Sequence, residues 1–159
     1  MKIRLILAAL LLGLTVVGCR NKQSQNQYIA PAGMEYSGKD TTEIMGLVNK
    51  YVQCLNEHDY DGMVDLLHTF KDNRIYAFDE TQRDSVKRGL QQIPVYAAKL
   101  YSFRLNNNVN NKICILVQLI ENGDLEQEIG VSKLFLNPVY VQDKWYLTLL
   151  DLNADGVKE

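Results

Sequence analysis

The chain is poor in the residues that most often carry chemistry. Its 159 residues include two histidines, three cysteines and one tryptophan. Three cysteines are too few for a small disulfide scaffold. Three prolines and ten glycines without a period exclude a collagen-like repeat. Positive charge is not in excess: 17 Lys+Arg against 19 Asp+Glu leave a formal charge of −2. That balance argues against a basic nucleic-acid binder, so no nucleic-acid partner is expected. No GxSxG turn and no glycine-rich phosphate loop surrounds any Ser or Cys. With 47% hydrophobic and 23% charged residues, the composition also excludes a disordered tail protein.

What is present is unevenly spread. Residues 1–18 hold 13 apolar residues and the charges Lys2 and Arg4; the remainder carries 15 Lys+Arg against 19 Asp+Glu. The uncharged stretch Leu5 to Val17 is thirteen residues long, the length of a signal-peptide core and too short for a permanent membrane span. It ends in Val16-Val17-Gly18-Cys19, which resembles the lipobox of bacterial lipoproteins. That resemblance implies cleavage before Cys19, lipidation of its thiol and acylation of the new amino terminus, a stable two-chain anchor. The expected organisation is a leader over 1–18, a lipidated Cys19 with a flexible tether to residue 40, and one domain over 41–159. The tether reading rests on the Gln/Asn/Ser-rich segment Arg20 to Gly38. Residue 20 is Arg rather than Asp, so the expected location is the outer membrane of a bacterial envelope, facing the periplasm.

Past the tether, helical spacing comes first. Thr41 or Thr42 can cap a helix whose apolar face is Ile44, Leu47, Val48, Tyr51 and Leu55. Asp59 can cap a second, with Met63, Leu66, Leu67 and Phe70 on one side. Arg74 to Phe78 reads as a short strand. Asp79 or Thr81 opens a third helix through Val86 and Leu90, stopped by Pro94. The period then changes to two, predicting strands over Val95 to Leu105, Ile113 to Glu121 and Glu126 to Leu136. A last strand runs from Val139 to Asp151, split around Gln142-Asp143-Lys144. The expected class is α+β, three N-terminal helices packed on a curved antiparallel sheet of four to six strands.

The first helix with Tyr51, the link HDYDG, the helix MVDLL and the ending QDKWYLTLLDL together resemble the nuclear transport factor 2-like, or SnoaL-like, superfamily. The resemblance covers about residues 41–152. It implies a cone-shaped, cystatin-like fold with an internal cavity, and members that dimerise through the outer sheet face. Superfamily enzymes use carboxylates, His or Tyr in the cone for proton transfer, but no motif here carries catalytic positions over, and no catalytic residue is assigned.

Site candidates follow from the residues that remain. Tyr51 faces inward on the first helix; Tyr96, Tyr101 and Tyr146 lie on strands, and Trp145 opens the last one. Tyr51, Tyr96, Tyr101 and Trp145 are the ligand-binding candidates, although each also suits a core role. His58 and His68, about 280° apart on an ideal helix and separated by a break, do not form a helix-borne metal pair. His58 suits a helix end, where imidazole can cap carbonyls, and His68 an exposed position. Cys54 and Cys114 read as buried thiols rather than a disulfide. Asp151 to Gly156 matches the first half of a calcium loop, which stops before its bidentate Glu, so no metal and no cofactor is expected. The strand Ile113 to Ile120 is apolar on both faces, which predicts a homodimer through Cys114, Leu116 and Ile120. The expected function is small-ligand binding or protein interaction at the membrane. The alternatives are an isomerase- or dehydratase-type enzyme using a cavity carboxylate or Tyr, and a structural subunit of an envelope complex.

Overall fold

The computed structural model describes residues 37–149. The expected leader, Cys19, most of the tether and the calcium-like tail lie outside the described residues. The first helix, α1 (Gly38–Glu57), starts ahead of the threonines. Its N-cap is Ser37, which forms a reciprocal capping box with Asp40: the Asp40 amide donates to Ser37 Oγ at 3.2 Å, and the Ser37 amide donates to Asp40 Oδ2 at 3.0 Å. The predicted apolar face is buried at Ile44, Val48, Tyr51 and Leu55, joined by Cys54. His58 ends the helix in the left-handed conformation, with φ 56°.

Asp59 caps α2 (Tyr60–Leu66), accepting from the Gly62 amide at 2.9 Å. Sequence periodicity carried this helix to Phe70, but it ends at Leu66. Leu67 opens strand β1 (Leu67–Lys71), which folds back on β2 (Arg74–Ala77). The two-residue turn Asp72-Asn73 has both φ angles positive, the mirror-image turn that matches strand twist. Helix α3 (Glu80–Gln91) has a second capping box, Asp79 with Gln82.

The remaining strands are β3 (Ala97–Leu105), β4 (Asn111–Gln118), β5 (Val131–Val141) and β6 (Lys144–Leu149). One six-stranded curved sheet has the order β2-β1-β6-β5-β4-β3. It is mixed rather than wholly antiparallel, because β1 runs parallel to β6 through Leu67 opposite Leu147. β5 starts later than expected: residues 124–129 form a turn closed by Asp124 and Ile129. It also continues through Pro138, which pairs with Leu147. β4 accompanies β5 only as far as Leu136, so the N–H that proline lacks falls where the ladder has already ended.

The helices cover one face of the sheet. α1 crosses it from β6 to β3. At its start, Trp145 Nε1 donates to Asp40 Oδ1 at 3.1 Å. At its end, Asn56 takes the Ala98 amide at 2.7 Å and donates to the Ala98 carbonyl at 3.1 Å. Ile113, Ile115, Leu136, Trp145 and Leu147 face the helices and are at most 2% exposed.

Hydrogen bonds from Ser37 and Trp145 hold the Asp40 carboxyl below its ordinary value near 3.8. A depressed carboxylate contributes stability that is full above the unfolded value and lost as pH falls through the folded one. Asp40→Asn is therefore expected to flatten the fall of stability below about pH 4. Urea melts across that range check this, and an unchanged acid limb would refute it.

Candidate functional site

α1 ends over the β3–β4 side of the sheet, and there the layers separate. The cavity between them has a volume of about 340 Å³, at the small end of ligand-sized pockets. Leu55 of α1, Met63 of α2 and Leu90 of α3 form one side, and Val117, Leu119 and Leu134 the facing sheet. Ile93 and Val95, from the turn around Pro94, close the end. His58 fixes that turn, its Nε2 2.8 Å from the Val95 carbonyl oxygen. The imidazole thus meets a carbonyl as expected, although on the approach to β3 rather than on its own helix.

The polar residues in the lining are Tyr60, Ser132 and Lys133. Lys133 lies opposite Leu116, whose position on β4 alternates with the core residues Ile115 and Val117, so its side chain leaves by the other face of the sheet. There its Nζ is 2.9 Å from Glu128 and 5.1 Å from the centre of the Tyr101 ring. The lining therefore presents hydrocarbon, a phenol and a hydroxyl. Such a surface favours an apolar molecule with one or two hydrogen-bonding groups.

The four predicted ligand residues are not brought together, and none lines this cavity. Trp145 is buried at the far end of α1. Tyr96 is 54% exposed just before β3, and Tyr101 is 43% exposed. Strand alternation failed at Tyr101 because the β3–β4 register shifts between Leu100 and Ser102. Tyr51 is in the core, and its hydroxyl has no hydrogen-bond partner. Burial drives its phenol far above the ordinary value, so it stays neutral. An unsatisfied buried hydroxyl costs about 1–3 kcal/mol. Tyr51→Phe is expected to recover about 1 kcal/mol of that and to raise the melting temperature by a few degrees; a fall in melting temperature would show that the hydroxyl has a partner.

The other candidates separate as well. His68 is half-buried on β1 rather than exposed, edge-on to Tyr146 with ring centres 5.0 Å apart. Cys54 and Cys114 are free and buried, and burial pushes both thiols up, which makes them poor nucleophiles. Cys114 and Leu116, whose cross-strand neighbours are Ser102 and Phe135 and Lys99 and Lys133, are only 5% and 1% exposed, whereas Ile120 lies beyond the end of β4 and is 50% exposed. The three residues therefore form no common apolar patch. Among the described residues no group of three potential metal ligands occurs, and no helix is long and apolar enough to cross a membrane. Tyr60 and Ile93, which periodicity does not single out, come from the first position of α2 and from a turn, and Leu90 from the end of α3. The one local signal was an isoleucine directly before Pro94, beyond the last helical position.

No protein-family model and no curated protein matches the chain. Among solved structures, it is similar to a nuclear transport factor 2-like protein from Campylobacter jejuni, at 14% identity and a TM-score of 0.42, over 67% of this chain and 98% of that one. A nuclear transport factor 2-like protein of unknown function from Shewanella oneidensis gives 11% identity and 0.41, over 67% and 93%. A protein of cystatin-like fold from Nostoc punctiforme gives 12% and 0.35, over 74% and 96%.

Proposed function

We propose that this chain is an envelope lipoprotein, anchored through acyl chains on Cys19, whose nuclear transport factor 2-like domain holds a small apolar molecule. The observation that carries the reading is the cavity of about 340 Å³ lined almost wholly by hydrocarbon. An apolar space of that size gains free energy by exchanging water for a ligand. The isomerase or dehydratase alternative would rest on the Tyr60 phenol alone, since no carboxylate is among the lining residues to share the proton transfer.

A hydrophobic fluorescent probe such as N-phenylnaphthylamine tests the cavity. Val117→Phe places a ring in the space from a position that is 5% exposed. It is expected to weaken probe binding about tenfold, equivalent to about 1.4 kcal/mol, with the melting temperature little changed. Equal probe affinity in the two proteins would overturn the reading. Native mass spectrometry of protein extracted from membranes then identifies what the cavity retains. Cys19→Ser is expected to move the protein from the membrane fraction to the soluble one; retention in the membrane would refute the anchor.

A further inference from the structure

The charges of the domain are sorted by layer. The six strands contain seven lysine and arginine residues and no aspartate or glutamate. The three helices carry seven acidic residues against five basic ones. Strand alternation places Lys99, Arg104, Lys112, Lys133 and Lys144 on the face of the sheet turned away from the helices. Glu126 pairs with Lys99, and Glu128 with Lys133. Arg104, Lys112 and Lys144 are exposed and have no ion-pair partner among the described residues.

Two details make this more than a net charge. Arg104 and Lys112 are direct cross-strand partners, an arrangement of like charges that costs stability unless an anion relieves it. Beneath the cations lie aromatic rings. Lys112 Nζ is 4.2 Å from the centre of Phe135, and Lys144 Nζ is 5.2 Å from that of Tyr146. The face thus offers unpaired cations over half-buried aromatics, a combination suited to the anionic zone of a bilayer. Two copies meeting face to face would set these cations against each other.

We propose that the outer face of the sheet is a contact surface for anionic lipid headgroups. The choice of a lipid over another polyanion rests on the anchor reading above. Ser37 is eighteen residues on from Cys19, and eighteen residues of chain reach at most about 65 Å. An anchored domain cannot leave the membrane by more than that reach, so a weak surface attraction is amplified by effective concentration. Resting on this face, the domain would carry its cavity on the side away from the lipid.

The test uses the mature chain with Cys19→Ser and vesicles of phosphatidylcholine with or without one-third phosphatidylglycerol. Cosedimentation is expected with the anionic vesicles at about 50 mM salt, with release by about 300 mM, and none with phosphatidylcholine alone. Arg104→Glu with Lys112→Glu and Lys144→Glu is expected to lower binding about tenfold or more. Lys50→Glu, a single reversal of the same kind on the helical side, is expected to leave it within about twofold. If the triple variant fails to fold, the Gln replacements at the same three positions take its place, with the same loss expected. Equal binding to both vesicle types, no binding at low salt, or a reversed face that binds as before would each overturn the proposal. So would capture of polyglutamate without vesicle binding, which would assign the face to an acidic protein. The mass of the Cys19 peptide from the native protein reads the anchor separately: an unmodified Cys19 fails that reading without altering the vesicle result.

Discussion

Trp145→Ala is expected to destabilise the domain by about 3–5 kcal/mol. The indole is 2% exposed and stands against Tyr140, with ring centres 5.1 Å apart. Its removal takes a large volume from the place where α1 starts across the sheet. It also removes the donor to Asp40, the residue that closes the capping box of α1. One side chain therefore fills core and ties the first turn of the helix to a strand 105 residues later. Trp145→Phe separates the two roles, keeping most of the packing while losing the hydrogen bond, and is expected to cost about 1–2 kcal/mol. Urea unfolding followed by far-UV circular dichroism measures both, since the variants lack the only tryptophan. A loss under about 1 kcal/mol for the alanine variant would contradict this account.

Asn111→Ala is the second large effect, expected at about 3 kcal/mol. Asn111 is a polar residue that is 1% exposed. Its Oδ1 accepts from the Asn106 amide at 2.8 Å and, more weakly, from the Asn107 amide at 3.4 Å. Its Nδ2 donates to the carbonyls of Asn107 and Pro138, both at 2.7 Å. Its backbone amide reaches Asn137 Oδ1 at 2.8 Å, and Asn137 Nδ2 bonds the Val109 carbonyl. Alanine would strand several of these backbone groups, whose desolvation is already complete. Asn111→Asp tests the same site differently: it retains the acceptor but replaces the Nδ2 donor with an oxygen facing two carbonyls. It is expected to cost at least as much as alanine near neutral pH. If both variants melt with the wild type, the network has no structural weight.

The sequence made visible what depends on local period and missed what depends on distant partners. The face of α1 was legible because Ile44, Val48, Tyr51 and Leu55 repeat at helical spacing and all are buried on the side turned to the core. The end of α2 was not, because Leu66, Leu67 and Phe70 keep helical spacing while Leu67 takes a partner in β6. The asparagines of 106–111 read as a turn, which they are, yet nothing local distinguishes the buried Asn111 from its exposed neighbours. The candidate site shows the same division. Tyr51 and Tyr101 stand out because they lie on regular elements, whereas the cavity is lined mostly from element ends. Where layers separate is set by the lengths and crossing of α1 and the strands, and no short motif encodes that.

The attachment of α3 bears on how fast the cavity exchanges its contents. This helix contributes Leu90 to the lining but has no fully buried residue. Arg83 with Asp65 and Lys87 with Asp61 join it to α2, and both carboxylates are more than 60% exposed. Exposed ion pairs of this kind contribute about 0–1 kcal/mol each and weaken with salt. An element held this lightly opens locally far more often than the domain unfolds. The residence time of a bound molecule would then be set by the lifting of one helix, independently of the strength of the core beneath it.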